Sequence, residues 1–240
     1  MKSIIIELKK YKHTYILEIM PFVGVLGALY SFANFLFRKD SLLSLPLHPM
    51  DILLTQLYGV IMMLNMFGII IITTATYNLE FHNHAIKNFY LLPFKISHIF
   101  RNKFFILLFF VAICALLQDI SLYIIGFKYL PANTFEPFTL INYSIYCFFS
   151  TLPVFSFMLM ISSILENIWL TLGVGVIGFF SGMTMSISKF NIFLINPFVL
   201  MIRPSVDYSA DINILILIIS IVETFIFFFS GYFLSMNKKI

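Results

Sequence analysis

Three carboxylic acids occur within otherwise apolar stretches, and they are the side chains best suited to chemistry in this chain. Asp119 follows Gln118 in one stretch, Glu223 lies near the middle of another, and Glu18 lies near the inner end of the first. Ionisable groups are costly in lipid and commonly line substrate or ion pathways. They can instead form hydrogen bonds between helices, as the side chain of Asn65 also can. The sequence leaves both roles open, and the candidate path-lining residues are Asp119, Gln118, Glu223 and Asn65.

The usual catalytic and metal-binding patterns are not visible in the sequence. His82 and His84 are two residues apart, so on a helix they point to different faces, which favours an interfacial over a metal-binding role. Cys114 and Cys147 lie in apolar runs, spaced neither as a disulfide framework nor as a metal site. The sequence also contains no phosphate-binding loop, zinc-protease motif or serine-nucleophile elbow. We therefore expect no catalytic, metal-binding or cofactor-binding residues in this chain.

The composition predicts an integral membrane protein. The chain has 240 residues, of which 60% are hydrophobic and 11% charged, with a mean hydropathy of +0.98; soluble domains carry about 25% charged residues. Six apolar runs are long enough to cross a bilayer as helices, at about 15–37, 52–76, 104–127, 139–164, 168–187 and 212–236. Backbone groups in lipid must be satisfied within each span, so the predicted fold is all-α, as one transmembrane domain over residues 1–240.

The distribution of basic residues predicts the orientation of these spans. If the N-terminus is cytoplasmic, ten of the fifteen Lys and Arg residues lie on the inner side, as the positive-inside rule requires. An even number of spans then places both termini in the cytoplasm. The net charge of +4 largely reflects this bias and does not indicate nucleic-acid binding.

An amphipathic helix is predicted in the connection between the second and third runs. Its polar stripe contains Glu80, Asn83, His84 and Lys87, its apolar stripe contains Phe81, Ala85, Phe89 and Leu92, and Pro93 ends it. Such a helix either anchors two spans at the membrane surface or offers its polar face to a cytosolic partner.

Two further segments are neither spans nor simple loops. Ser3–His13 is typical of a basic amphipathic helix on the inner membrane surface. The run Phe190–Ile202 is too short to span and too apolar for water, and Pro197 interrupts it. We expect it to form a re-entrant or interfacial hairpin at the outer face, before the sixth span.

Small residues form a stripe on the fifth span. Gly178 and Gly182 are four residues apart, and Gly175 extends the same small face. Because small residues let helix backbones approach closely, this stripe predicts a helix-packing surface in the bundle or between subunits.

Two sequence segments and the outer hairpin together form a familiar arrangement. The segments are IELKKYKHTYILEIMPF at Ile6–Phe22 and EFHNHAIKNFYLLPFKISHIFRNK at Glu80–Lys103. The arrangement resembles the membrane permease subunit of type-2 ABC exporters over nearly the whole chain. It is most similar to the permeases of lantibiotic-immunity transporters, which expel cationic antimicrobial peptides from the producer's membrane.

The resemblance implies partners as well as a location. It places a coupling helix at roughly Asn78–Leu92, with Glu80 as the acidic position and Pro93 as the proline, seated in a groove of a cytosolic ABC ATPase. Two ATPase copies would bind ATP and magnesium, and two permeases, the same or different, would form the path in a bacterial cytoplasmic membrane. Asp119 and Glu223 would suit a cationic amphipathic peptide taken from the bilayer. Unlike the best-known members, this chain lacks a large extracellular domain.

Two other functions remain open from the sequence. A self-contained ion- or proton-coupled transporter would use the three acids as a relay, and a non-transporting scaffold would use only the cytosolic helix. The amphipathic segment favours the exporter or the scaffold, whereas the intramembrane acids favour the exporter or the self-contained transporter.

Overall fold

The structure, a computed structural model, describes residues 2–11, 14–82, 96–131, 134–188, 190–206 and 210–237. Its main helices are α1 (Lys2–Tyr11), α2 (Ile19–Leu43), α3 (Tyr58–His82), α4 (Ile96–Tyr129), α5 (Pro137–Ile164), α6 (Ile168–Ser186), α7 (Pro197–Val206) and α8 (Ile214–Asn237). No strand occurs within the described ranges, which confirms the predicted all-α fold.

Six of these helices are long and apolar enough to cross a membrane, namely α2, α3, α4, α5, α6 and α8. The chain is therefore a multi-pass membrane protein, as the hydropathy predicted. Three helices are longer at one end than their apolar runs. The first run was expected to end near residue 37, but α2 continues to Leu43. The second run was expected to end near residue 76, but α3 continues to His82, and α4 begins at Ile96 rather than near residue 104.

The second span begins irregularly. A single α-helical turn at Pro49–Asp51 leads into a π-helical segment at Ile52–Gln56, and regular α-helix follows from Tyr58. The Asp51 carboxylate lies beside this junction and accepts a hydrogen bond of 2.9 Å from the backbone N–H of Ala210. This contact joins the start of the second span to the segment between α7 and α8.

The six long helices differ in how much protein surrounds them. The most apolar windows of α3 and α5 are 67% and 61% buried, whereas those of α2, α6 and α8 are each 28% buried. Helices α3 and α5 therefore form the centre of the bundle. The outer helices present large apolar side chains, such as Phe37, Ile177 and Phe225, as expected of surfaces solvated by lipid.

The short helix α7 packs inside this bundle. Its apolar side chains from Pro197 to Ile202 are buried, and it contacts α6, α5 and α3. Pro197 is its first residue, a position that tolerates proline because the missing N–H would have no partner within the helix. The segment predicted as an outer hairpin thus consists of a 3-10 turn at Asn191–Ile195 followed by this buried helix.

Candidate functional site

A group of charged and aromatic side chains lies buried where α1 meets the ends of α3 and α4. We call it the Lys103 cluster, and it consists of Glu7, Lys10, Tyr11, Tyr77, Glu80 and Lys103. Lys103 is 1% exposed, Glu7 3% and Glu80 6%. Long charged side chains are almost never buried to this extent unless they are paired.

The Lys103 ammonium group is surrounded by oxygen atoms. It lies 2.9 Å from the Glu80 carboxylate and 3.5 Å from that of Glu7, and it donates a hydrogen bond of 2.6 Å to the Tyr11 hydroxyl. The rings of Tyr11 and Tyr77 each have their centres 5.2 Å from the same nitrogen. The contact with Tyr11 is a hydrogen bond, whereas the two carboxylate oxygens contact the ammonium group as ion pairs without hydrogen-bond geometry.

A second cation completes the charge balance of the cluster. Lys10 donates to Glu7 at 2.8 Å and lies 3.6 Å from Glu80. Two ammonium groups therefore face two carboxylates. Burial raises the pKa of Tyr11 to about 12, despite the opposing effect of Lys103, so its phenol stays neutral at physiological pH. The cluster is consequently electroneutral, which is the condition under which buried charges are tolerated.

The cluster fixes three chain segments to one another. Glu7 and Tyr11 belong to α1, Glu80 to the last turn of α3, and Lys103 to the early turns of α4. Residues 83–95 connect α3 to α4, so the cluster holds both ends of this connection beside α1. A displacement of the connection would act on two membrane helices at once.

The predicted coupling helix lies mostly outside the described residues. This applies to Asn83, His84, Lys87, Phe89 and Pro93. Glu80, expected on the polar face of that surface helix, instead lies in the membrane helix α3, and its carboxylate points into the Lys103 cluster. The ion pair with Lys103 offsets the free-energy cost of burying the Glu80 carboxylate. Hydrophobic periodicity does not predict such a pair.

A second polar group lies inside the bundle between α2, α3 and α4. Asn65 and Gln118 exchange two hydrogen bonds, of 2.9 and 2.7 Å, through their side-chain amides. The Cys114 thiol donates to the Asn65 oxygen at 3.3 Å. Gly27 of α2 lies directly above this pair, since a Cβ added there would be 2.6 Å from the Gln118 nitrogen. Two of the four predicted path-lining residues therefore bond to each other and are buried within the bundle.

Replacing Gln118 with leucine should destabilise the protein by about 1–2 kcal/mol, because the buried Asn65 amide would lose both hydrogen bonds to Gln118 and keep only the one from the Cys114 thiol. Thermal unfolding of the purified protein in detergent would measure the change. The double variant Asn65→Leu/Gln118→Leu removes both amides and should recover part of the loss. If the loss of stability in the double variant equals the sum of the losses in the two single variants, the amides do not stabilise each other.

Asp119 faces a different helix from its neighbour Gln118. Ser144 of α5 donates a short hydrogen bond to one carboxylate oxygen, while the other oxygen is buried with no hydrogen-bond partner among the described residues. The carboxylate therefore lies between α4 and α5 with one oxygen open to a further partner.

Glu223 lies on a different helix from Asp119. It is 9% exposed on α8, and one of its carboxylate oxygens is buried without a hydrogen-bond partner in the described part of the chain. The hydroxyl of Ser220, one turn earlier on α8, is likewise buried without a partner there. No hydrogen bond or ion pair joins Glu223 to Asp119. Glu18, the third acid, is exposed at the start of α2.

The glycine stripe of α6 contacts two other helices of the same chain. A Cβ added at Gly175 would lie 2.6 Å from Ile70 of α3, and one added at Gly178 would lie 2.2 Å from the Phe198 ring. At Gly182 the nearest atoms are the Cβ and the backbone of Phe198. The stripe thus accommodates α7, which explains how an apolar ten-residue helix is buried inside the bundle.

Polar contacts hold α7 at both ends. The Asn196 side chain accepts a hydrogen bond of 3.0 Å from the Phe198 N–H and donates one of 3.0 Å to Ser181. Near the other end, Arg203 donates to the carbonyl oxygen of Ser186 at 2.8 Å and to that of Ser188. Arg203 thereby satisfies carbonyl groups at the end of α6, where a cation is favourable. These contacts fix α7 against α6.

The sequence did not identify Glu7, Tyr11, Tyr77 and Ser144 as site residues, and Lys103 appeared there only as the last residue of the segment Glu80–Lys103. The available signal was a lysine just before an apolar run and a glutamate just after another. Their pairing depends on tertiary contacts between residues 23 and 96 positions apart along the chain, as for Glu80 and Glu7 with Lys103.

The described residues contain no group of three or more His, Cys, Asp or Glu side chains arranged to hold a metal ion. No protein-family model matches the sequence, and no curated protein matches it. The described residues therefore define a multi-pass helical membrane protein with a buried ion cluster at an end of its bundle and further acidic groups within it.

Proposed function

We propose that the chain is the membrane-spanning subunit of an exporter of the type-2 ABC class, driven by ATP hydrolysis in a separate cytosolic subunit. Both termini and the 83–95 connection would then be cytoplasmic, in a bacterial plasma membrane. A second permease, the same or different, and two ATPase copies with bound ATP and magnesium would complete the unit. The segment 190–206 would form the outer, re-entrant closure of the path.

The observation that carries this proposal is the Lys103 cluster. An ATPase that binds residues 83–95 must move the membrane helices, and this requires stiff joints at both ends of the bound segment. Glu80 before the segment and Lys103 after it are joined by a buried ion pair of 2.9 Å, and Glu7 fixes α1 to the same point. Movement of the bound segment would therefore displace α3 and α4 together.

Photo-crosslinking in intact cells tests this docking site. A photoreactive amino acid at position 84 or 87 should crosslink to a soluble protein that contains a phosphate-binding loop. The matched control places the same amino acid at Phe127, which is 75% exposed at the far end of α4, and it should give no such product. Equal labelling of soluble proteins from all three positions would contradict the proposal.

We infer that the substrate is a cationic amphipathic peptide, expelled from the membrane as in lantibiotic immunity. Asp119 and Glu223 support this, because each has a buried carboxylate oxygen with no hydrogen-bond partner in the described ranges. Attraction between opposite charges is stronger in a low-dielectric setting than in water. A bound cationic side chain would supply the missing partner.

The double variant Asp119→Asn/Glu223→Gln should lower the resistance of the producing cells to such a peptide by about tenfold or more, since a charge–charge contact at each acid would be lost. Growth inhibition by the peptide measures the effect at matched protein levels. The Glu18→Gln variant, which changes an exposed acid, serves as the control and should retain resistance. Unchanged resistance in the double variant would exclude these acids from peptide recognition.

A self-contained proton- or ion-coupled transporter is the second candidate. The same two carboxylates favour it, because a buried acid without a cationic partner is suited to carrying a proton. Transport by the purified chain in vesicles without any ATPase would support this second function and contradict the first. A non-transporting scaffold would bind the ATPase, yet hydrolysis would move nothing.

A further inference from the structure

We infer that the seam between α2 and α4 binds an anionic phospholipid, with one acyl chain in a groove and the headgroup phosphate between Lys39 and Lys128. This inference is independent of the proposed transport function. It rests on a groove, an aromatic contact and two cations that follow one another along the same pair of helices.

The groove lies on the outer surface of the bundle. It has a volume of about 230 Å³ and is lined by Val25, Ala28, Leu29, Phe32, Leu117, Ser121 and Ile124. The α2 residues at its edge cover two helical turns, or about 10 Å at 1.5 Å per residue. The lining is almost entirely apolar, and the one hydroxyl, that of Ser121, is bonded to Ser31 at 2.6 Å. A hydrocarbon chain therefore meets no unsatisfied polar group there.

The groove continues into an aromatic contact towards the C-terminal ends of both helices. Phe32, which lines the groove, has its ring centre 6.3 Å from that of Tyr129 on α4, and Phe35 packs on the same ring at 5.6 Å. Tyrosine is enriched at the depth of lipid headgroups because its ring is apolar and its hydroxyl is polar. Tyr129 thus marks the transition from the acyl region to the headgroup region.

Two ammonium groups converge on Tyr129. The Lys39 nitrogen lies 5.6 Å from its ring centre and the Lys128 nitrogen 5.3 Å from it. Neither lysine forms an ion pair with a described acidic residue. Lysine side chains have four flexible carbons and readily reorient towards a phosphate. The two cations are therefore placed to hold one anionic headgroup directly above the groove.

Charge complementarity selects this occupant over the alternatives. A second copy of this chain that filled the groove with apolar side chains would leave the two lysines unused, and so would a neutral lipid. An anionic phospholipid uses both parts of the seam, since each nearby lysine adds to the attraction for acidic headgroups. In the proposed orientation, the lipid would belong to the outer leaflet.

Native mass spectrometry of the purified full-length chain tests the site, with phosphatidylglycerol and phosphatidylcholine of identical acyl chains as probes. We expect the wild-type chain to retain phosphatidylglycerol preferentially. The variant Lys39→Gln/Lys128→Gln should lower the apparent affinity for phosphatidylglycerol by about tenfold and leave phosphatidylcholine unchanged. The matched control Lys9→Gln/Arg101→Gln removes two exposed cations at the opposite end of the bundle and should retain the wild-type preference.

The groove is tested separately by Ala28→Phe, which places a ring within it and should reduce retention of both lipids. Val25→Trp, at an exposed rim position, provides a second block if Ala28→Phe accumulates poorly. Equal retention of the two lipids by the wild-type chain would overturn the inference, as would equal losses in the lysine pair and its control. Conversion of a dimer to a monomer by Ala28→Phe, with lipid retention unchanged, would identify a second copy as the occupant instead.

Discussion

Replacement of Lys103 by methionine is expected to destabilise the protein by about 3–5 kcal/mol, the typical cost of removing one partner from a buried ion pair. The variant leaves Glu7 and Glu80 buried with only Lys10 to balance them, and Lys10 lies 3.6 Å from Glu80. Helix α1 should then detach from the ends of α3 and α4. Thermal unfolding in detergent and protease cleavage between α1 and α2 would measure these two effects.

Arg101→Gln is the matched control for Lys103→Met. Arg101 lies two residues earlier on α4 but is exposed, so its loss should change stability by less than about 1 kcal/mol. The triple variant Glu7→Gln/Glu80→Gln/Lys103→Met removes the unbalanced charges and should recover part of the stability. Equal unfolding temperatures for Lys103→Met and Arg101→Gln would show that the cluster does not hold α1 in place.

The variant Gly182→Ala is expected to destabilise the protein by about 1–3 kcal/mol through overpacking. Its Cβ would lie 2.8 Å from the Cβ of Phe198 and 3.0 Å from that residue's carbonyl carbon. Phe198 is 3% exposed, and its backbone belongs to α7, so relief requires α7 to move as a unit. Thermal unfolding in detergent and accumulation in membranes would report the change.

Gly173→Ala is the corresponding control on the same helix. A Cβ at Gly173 meets no atom within 4 Å, and alanine is favoured over glycine in a helix by about 1 kcal/mol. This variant should therefore be neutral or stabilising. If Gly182→Ala were as stable as Gly173→Ala, the close packing of α7 on α6 would be contradicted.

The helical spans were predictable because lipid imposes one dominant requirement on the backbone. Without water, each N–H and C=O group must be bonded within its own segment, and only long apolar runs meet this requirement cheaply. The six runs therefore identify α2, α3, α4, α5, α6 and α8. Positions of single residues within the spans follow less directly, because they depend on neighbours from other helices.

The ends of α3 and α4 show where hydropathy was insufficient. On a hydropathy scale, Glu80 and Lys103 are each unfavourable in a membrane span. The second predicted span therefore ended before Glu80, and the third began after Lys103. In the structure the two charges lie 2.9 Å apart and offset each other's burial, and both helices extend past the predicted limits. A hydropathy average over neighbouring residues cannot predict an ion pair between residues that are distant in sequence.

The polar residues of the spans show a similar division. The sequence identified Asn65, Gln118, Asp119 and Glu223 as exceptional in an apolar environment, but it did not reveal their partners. Asn65 and Gln118 turned out to bond to each other across 53 positions of sequence. Asp119 and Glu223 each retain a carboxylate oxygen without a described hydrogen-bond partner, so they remain the candidates for contact with a substrate.

The glycine stripe was recognisable from its spacing, since small residues four apart lie on one face of a helix. The sequence did not show which surface packs against this stripe. Gly178 and Gly182 face Phe198, which comes from a short helix of the same chain. A ten-residue apolar segment is too short to be predicted as a membrane span. Its burial against this stripe therefore became known only from the structure.

Purification of this chain from its native membrane under mild detergent conditions tests whether it is the membrane subunit of an ATP-driven exporter. We expect that a soluble protein with a phosphate-binding loop copurifies, that the complex hydrolyses ATP, and that Lys87→Glu releases the partner. Lys87 is the appropriate position because it lies in the connection, whereas substitution of Glu80 would disturb the Lys103 cluster. A stable preparation that contains no nucleotide-binding protein and moves protons or ions in vesicles without ATP would show that the chain is not the subunit of an ATP-driven exporter.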